Sequence, residues 1–137
     1  PQFYEMILNR GCGTAGQRVL DVGTGTGVLP RNLYAAGAHW TGCDIAPNQI
    51  AQAKQLSQGM EIAYLVSTAE TLPTFAEPFD WITACQCFDF ALLITPSLSN
   101  KSRCICLYYN KNESPCQENS IPMKKPSGKH FSPDGFL

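Results

Sequence analysis

The sequence has 137 residues, with 44% hydrophobic and 15% charged side chains, a composition typical of a single globular domain. Its formal net charge of −1 at pH 7 argues against nucleic acid or an anionic membrane as a partner, because both require a basic surface. No apolar run approaches the roughly 20 residues of a membrane-spanning helix, so we expect no membrane partner.

Hydrophobic spacing predicts helices that alternate with strands. The predicted elements are helix 3–10, strand 18–22, helix 27–36, strand 38–44, helix 47–58, strand 61–66 and strand 79–85. This alternation predicts an α/β fold with a doubly wound, mostly parallel sheet and helices on both faces. Ligands bind such sheets beyond the carboxyl ends of the strands.

A glycine loop follows the first strand, in the segment Val-Leu-Asp-Val-Gly-Thr-Gly-Thr-Gly at residues 19–27. Glycines at this place let the backbone approach a nucleotide-like ligand closely. A dinucleotide fingerprint would need its third glycine at Val28, but here it is Gly27. Asp21 would repel a pyrophosphate and attract an ammonium group. The pattern favours S-adenosylmethionine, which carries an amino group and no phosphate, over a tight turn without a ligand.

Asp44 lies at the carboxyl end of the second predicted strand. A carboxylate there suits a ribose, because its two oxygens can accept hydrogen bonds from both hydroxyls of the diol. The structural alternative is an N-terminal cap for the next helix, in which Pro47 fits the first turn. The two interpretations are compatible. Three further positions lie at strand ends on the same predicted edge, namely Ala69, Glu70 and Gln86.

The seven cysteines are odd in number and form no disulfide framework. Cys85 with Cys87, and Cys104 with Cys106, form C-x-C pairs, which in a strand would point to one face. A metal site there is conceivable, but no histidine lies nearby in the sequence. We therefore expect no metal, and buried thiols in a reducing cytoplasm.

Over residues 3–88 the chain resembles the class I S-adenosylmethionine-dependent methyltransferases, in particular the ubiquinone/menaquinone-methyltransferase-like (methyltransferase type 11) group. Four strings carry the resemblance, of which the first is the glycine loop at residues 19–27. The others are Gly-Cys-Asp-Ile at 42–45, Ala-Glu-Thr-Leu-Pro at 69–73 and Phe-Asp-Trp-Ile-Thr-Ala-Cys-Gln at 79–86. The resemblance implies a Rossmann-like fold and methyl transfer from S-adenosyl-L-methionine to a small-molecule acceptor in the cytoplasm.

The resemblance also implies a role for each matching residue. Glycines 23, 25 and 27 with Thr24 would hold the methionine moiety, and Asp21 would orient its amino group. Asp44 would bind the ribose, and Ile45 would pack on the adenine. Ala69 and Glu70 would contact the edge of the adenine. Many relatives have an aspartate at the preceding position, where this chain has Thr68. Gln86 and, on the substrate side, Tyr4 would lie near the methyl group, although packing of an amphipathic helix explains Tyr4 equally well. No catalytic residue is assigned.

The resemblance ends near residue 88, and the composition shifts to Asn, Lys, Ser, Pro and Gly after residue 109. We therefore expect a cofactor-binding domain over residues 1–109, incomplete at its C-terminal side, and a disordered segment over 110–137. A truncated or frame-shifted gene product would give such a chain. Residues 104–109 could form a fifth strand, but no Gly-Gly turn precedes them. Without further strands the far edge of the fourth strand would be exposed, which favours a homodimer through that edge.

Two other functions remain open from the sequence. One is an NAD(P)-dependent oxidoreductase domain, which shares the fold and the Asp44 argument but conflicts with Gly27 and Asp21. The other is a methyltransferase-like fragment that binds without catalysing, since the acceptor half of the fold is poorly specified.

Overall fold

The computed structural model describes residues 2–68, 71–85, 98–107 and 118–119. Its helices are α1 (Gln2–Asn9), α2 (Val28–Leu33) and α3 (Pro47–Leu56), and a 3-10 turn over Tyr34–Ala36 continues α2. The strands are β1 (Arg18–Val22), β2 (His39–Asp44), β3 (Ala63–Val66), β4 (Phe79–Cys85), β5 (Leu98–Leu107) and β6 (Glu118–Asn119). Each strand predicted before residue 86 is present within two residues of its predicted start and end.

The strands form one sheet in the order β3-β2-β1-β4-β5-β6. Strands β1 to β5 are parallel, and β6 is antiparallel to β5. The chain runs outward from β1 to β2 and β3, and then crosses back to place β4 on the other side of β1. This reversal of strand order confirms the predicted doubly wound α/β fold and puts a ligand crevice at the carboxyl end of β1.

The two faces of the sheet are packed by alternate residues of each strand. On one face, Val19 and Trp40 join a core with residues of α1 and α2, and Tyr64 packs on Ile50 and Ala53 of α3. On the other face, Leu20 and neighbouring strand residues pack against Leu72 and Phe75. The three described helices therefore cover one face of the sheet; helices on the other face, also predicted, lie outside the described residues.

The edge of β4 differs from the prediction. Strand β5 begins at Leu98 and pairs with β4 from Phe79 to Cys85, with an irregularity in register after Phe79. The prediction that this edge is exposed was wrong, because the polar start of β5 does not look like a buried strand in the sequence. A homodimer through that edge would have to displace β5. Of the predicted disordered segment 110–137, only residues 118–119 are described.

Candidate functional site

The glycine loop between β1 and α2 is held against the end of β2. Glycines 23, 25 and 27 have φ angles of 70°, 56° and 74°, a left-handed backbone that residues with a Cβ rarely adopt. The amides of Gly23 and Thr24 both donate to the carbonyl oxygen of Cys43 at 2.9 Å. The loop is thereby fixed at the carboxyl edge, directly above β1 and β2.

Asp44 connects this loop to α3. Its Oδ2 accepts a hydrogen bond from the Gly25 amide at 2.9 Å, and its Oδ1 accepts one from the Ala46 amide at 2.9 Å. Ala46 is the N-cap residue of α3 and Pro47 begins the helix, so Asp44 is not the cap of this helix. Each carboxylate oxygen can accept a further hydrogen bond, which leaves Asp44 fixed in place and able to bind a diol.

Gly25 and Gly27 have different surroundings although both have positive φ. Among the described residues, a Cβ on Gly25 would meet only Gln49 Oε1, at 3.6 Å, so that part of the structure leaves space beside this residue for a ligand. A Cβ on Gly27 would lie 2.2 Å from the hydroxyl oxygen of Tyr64. The third glycine therefore makes room for Tyr64, whose hydroxyl is hydrogen-bonded to Ser57 Oγ at 2.8 Å.

Asp21 lies beneath the loop with only 2% of its surface exposed. Its Oδ1 accepts a hydrogen bond from the Thr83 hydroxyl at 2.7 Å. Burial and, to a smaller extent, the negative charge of Asp44 raise the pKa of Asp21, whereas the hydroxyls of Thr83 and Thr24 lower it, and the resulting pKa is about 6. This carboxyl is therefore ionised at neutral pH at a cost in free energy that a nearby cation would reduce.

The Thr24 side chain lies over Gly42 of β2. A Cβ on Gly42 would be 2.8 Å from both Oγ1 and Cγ2 of Thr24, so only glycine fits there. Thr24 Oγ1 is buried and, within the described part of the chain, forms no hydrogen bond of normal geometry. It is nonetheless close enough to Asp21 to favour the ionised carboxylate. Thr24 thus packs the loop onto the sheet and presents an unpaired polar atom beneath it.

Ile45 follows Asp44 directly and is 69% exposed. An aliphatic side chain with that exposure at the end of a buried strand offers an apolar surface for a flat ring. The adjacent strand ends with Val66, which is also exposed and lies opposite Asp44 in the β2–β3 register. Ile45 and Asp44 together thus provide an apolar and a polar contact at neighbouring positions.

The remaining predicted positions are not brought to the loop by the described structure. Ala69, Glu70 and Gln86 lie outside the described residues. Tyr4 is half-buried on α1, packs against the core and contacts the Phe3 ring edge-to-face at 5.4 Å. This packing is the structural interpretation that the sequence allowed, and a role for Tyr4 toward substrate stays a prediction.

Two residues near the loop were not found from the sequence. Thr83 and Tyr64 both belong to one row across the sheet, in which Tyr64 pairs with Gly42, Gly42 with Asp21, and Asp21 with Thr83. Thr83 is a polar residue within the apolar end of β4, residues 81–85. It lies two positions before the end of that strand, as Asp21 lies two positions before Gly23. That polar position is the sequence signal that would have identified it, once the register of β1 and β4 is known.

The cysteines described in full are buried thiols. Cys12 and Cys43 are both buried. Burial and, to a smaller extent, the negative charge of Asp21 raise the pKa of Cys12 to about 12. In residues 2–68, 71–85, 98–107 and 118–119, no three His, Cys, Asp or Glu side chains come together as a metal site. No described helix is both long enough and apolar enough to cross a membrane.

Fold and site together define an α/β domain with a glycine loop at the carboxyl edge of its sheet, one carboxylate beneath the loop and one at its side. The profile of a family described as "Methyltransferase domain" matches residues 19–99, which is more than half of the sequence. The chain belongs to this methyltransferase domain family. The resemblance inferred from the sequence is thereby confirmed.

Curated relatives of this chain include ubiquinone biosynthesis O-methyltransferases from bacteria. The protein from Pseudomonas putida strain W619 is 44% identical over 75 residues, which are 53% of this chain and 32% of the relative. The protein from Nitrosococcus oceani is 44% identical over 86 residues, which are 61% of this chain and 36% of the relative. The chain therefore spans about a third of the length of these relatives.

Solved structures share the fold at low sequence identity. A magnesium protoporphyrin IX methyltransferase from Synechocystis PCC 6803, solved with bound SAM, gives a TM-score of 0.63 at 19% identity, over 85% of this chain and 60% of that one. A SAM-dependent methyltransferase from Aquifex aeolicus gives 0.68 at 18% identity, over 82% and 68% respectively. These likenesses confirm the Rossmann-like fold.

Proposed function

We propose that this domain binds S-adenosyl-L-methionine at the carboxyl edge of β1 and β2, as the cofactor-binding part of a methyltransferase that acts on a small molecule. The observation that carries the proposal is the pair of carboxylates around an open glycine loop. Asp21 lies beneath the loop, and Asp44 is hydrogen-bonded to Gly25 at its side. Two acids next to the loop disfavour a pyrophosphate and favour a ligand with a positive charge and a diol.

The described residues fit such a ligand part by part. The space beside Gly25 can accommodate the methionine moiety close to the backbone of the loop. The negative charge of the buried Asp21 favours the ammonium group of that moiety. The free lone pairs of Asp44 suit the ribose hydroxyls. The exposed side chain of Ile45 suits the adenine ring. Roles for Ala69, Glu70, Gln86 and Tyr4 remain part of the proposal, without support from the described geometry.

When bound, S-adenosylmethionine supplies an electrophilic methyl group on a sulfonium centre. The contribution of this chain is to hold and orient, because displacement at a methyl group depends on alignment more than on acid–base chemistry. The loop, fixed to Cys43 and Asp44, is a rigid support for that alignment. No general base is assigned to any residue.

The acceptor is proposed to be a small molecule. The names of the curated relatives suggest an intermediate of ubiquinone biosynthesis that receives the methyl group on oxygen. The net charge of −1 disfavours RNA or DNA as the acceptor. A cytoplasmic location is likewise proposed, supported by the free, buried thiol of Cys12, which a reducing compartment preserves.

Calorimetric titration of the purified chain tests the proposal, with S-adenosylmethionine, S-adenosylhomocysteine and NAD as separate ligands. We expect the first two to bind and NAD not to bind. Asp44→Ala is expected to abolish binding, whereas Asp44→Asn, which keeps one acceptor oxygen, is expected to weaken it about tenfold. Binding of NAD alone would instead support a dinucleotide domain. Binding of S-adenosylmethionine, with no methyl transfer to an oxygen acceptor in a separate assay, would identify a fragment that has lost turnover.

A further inference from the structure

Thr83 is the polar side chain in closest contact with Asp21. The two residues lie directly opposite each other in the parallel register of β1 and β4. Thr83 is fully buried, and its hydroxyl lies 2.7 Å from Asp21 Oδ1 and 3.4 Å from the carbonyl oxygen of Leu20. A hydroxyl has one proton to donate, and the shorter distance assigns it to the carboxylate.

We propose that Thr83 is a positioning residue for the ligand's amino group, acting through Asp21. The inference rests on the proposed function, because it assumes that a ligand ammonium group is attracted to this carboxylate. By donating to Oδ1, Thr83 fixes the rotamer of Asp21 and leaves Oδ2 to interact with the ligand. It also stabilises the negative charge that attracts the ammonium group.

The surroundings of Asp21 leave few groups that could replace Thr83. The charged and titratable side chains that act on Asp21 or are affected by it are Asp44 at the end of β2, Cys12 before β1 and Tyr64 on β3. Asp44 disfavours the ionised form of Asp21, and burial keeps Cys12 and Tyr64 neutral. Among the described residues, the other side-chain donor near Asp21 is the hydroxyl of Thr24, which lowers the pKa of Asp21 less than Thr83 does and forms no hydrogen bond of normal geometry. The hydrogen bond from Thr83 is thus the main stabilising contact of the ionised carboxylate.

The sign of the expected pH effect follows from this contact. A hydrogen bond to the ionised form lowers a carboxyl pKa, so loss of the Thr83 hydroxyl raises the pKa of Asp21 above its present value of about 6. Asp21 would then become protonated closer to neutral pH. Ligand affinity depends on the ionised form of Asp21. As the pH is lowered, the affinity of the variant would therefore begin to fall at a higher pH than the affinity of the wild-type chain.

The test compares Thr83→Val, which replaces the hydroxyl with a methyl group, with Thr83→Ser, which retains the hydroxyl. Titration of S-adenosylmethionine from about pH 5 to about pH 8 should give wild-type affinity for Thr83→Ser. For Thr83→Val we expect the affinity near neutral pH to be about tenfold lower than for wild type. We also expect the loss of affinity on acidification to occur about one pH unit higher than in wild type. Thr83→Ala serves in place of Thr83→Val if the valine variant does not fold.

Two controls separate a positioning role from a purely structural one. In an Asp21→Asn background, Thr83→Val should cause no additional loss of affinity, because the negative charge that attracts the ammonium group is already absent. Without ligand, the carboxyl carbon of Asp21, observed by NMR, should titrate at a higher pH in Thr83→Val than in Thr83→Ser. An unchanged Asp21 titration, or an equal loss of affinity in the Asp21→Asn background, would overturn the proposal. Absence of binding to the wild-type chain would instead overturn the proposed function, while the ligand-free titration still decides the role of Thr83 toward Asp21.

Discussion

At the scale of single residues, the site depends on a buried carboxyl group whose ionised form lowers the free energy of unfolding. Asp21 is buried, and its pKa rises from 3.8 to about 6. The pKa of Asp21 is higher in the folded than in the unfolded state, so protonation of Asp21 stabilises the fold. This contribution to the free energy of unfolding is fully present below about pH 4 and is lost as the pH rises through about 6. A shift of this size corresponds to roughly 3 kcal/mol. The negative charge of Asp21 therefore destabilises the domain, and it lies where the positively charged ammonium group of the proposed ligand would bind.

Asp21→Asn should reverse this balance. Asparagine retains an acceptor oxygen for Thr83 and carries no charge, so we expect the ligand-free variant to be more stable than wild type at pH 7, by up to roughly 3 kcal/mol. The decline in the free energy of unfolding between about pH 4 and about pH 6 should also be smaller. Urea unfolding across this pH range, with and without ligand, measures both effects. A variant that is less stable at pH 7 and keeps the wild-type pH dependence would contradict the pKa assigned to Asp21.

The glycines of the loop should respond differently to the same substitution. Gly27→Ala places a methyl group 2.2 Å from the Tyr64 hydroxyl oxygen, and we expect it to cost more than about 2 kcal/mol of stability. Gly25→Ala meets no such contact and should cost only about 1 kcal/mol, from its positive φ, while blocking the ligand. Thermal unfolding and ligand titration distinguish the two outcomes.

Tyr64→Phe provides the control for the Gly27 variant. Removal of the hydroxyl oxygen takes away the nearest atom, so Gly27→Ala should be less destabilising in the Tyr64→Phe background than in wild type. Equal costs in both backgrounds would mean that the hydroxyl oxygen is not what requires glycine at this position, and would leave backbone strain and the ring atoms of residue 64, at 2.9 and 3.0 Å, as the cause.

At the scale of elements, the site is a junction between the glycine loop and β2. The loop amides bond the carbonyl of Cys43, and the Thr24 side chain lies in the space that Gly42 leaves. This contact joins the beginning of α2 to the central part of the sheet without any ligand. Thr24 and Gly42 therefore have a structural role that is separate from any direct contact with a cofactor.

Gly42→Ala should loosen this junction. The added Cβ would lie 2.8 Å from Thr24 Oγ1 and would push the loop away from the sheet. We expect faster hydrogen exchange at the amides of Gly23 and Thr24, which donate to Cys43, and weaker binding of S-adenosylmethionine. Exchange at the amides of α1, which lie away from the junction, should change little. Unchanged exchange at Gly23 and Thr24 would show that the loop is held by other contacts.

At the scale of the whole molecule, the sequence predicted what depends on local pattern. The strands before residue 86, the loop and Asp44 at a strand end all follow from spacing within short segments. The contacts of Thr83 with Asp21 and of Tyr64 with Gly27 join residues far apart in the chain. They depend on strand register, which a single sequence does not specify. The polar start of β5 gave no hydrophobic pattern, so the sequence indicated only its apolar end, within residues 104–109, as a possible strand.

The central claim is that the proposed cofactor lies on the edge formed by the glycine loop and the end of β2. The most direct measurement is a map of backbone amide chemical shifts as S-adenosylmethionine is added to the isotopically labelled chain. We predict that the largest changes occur at the amides of Gly25, Ile45 and Ala46, which surround Asp44, and that Asp44→Ala removes them. Saturable changes confined to another surface, such as the outer face of α1, would contradict the proposed site.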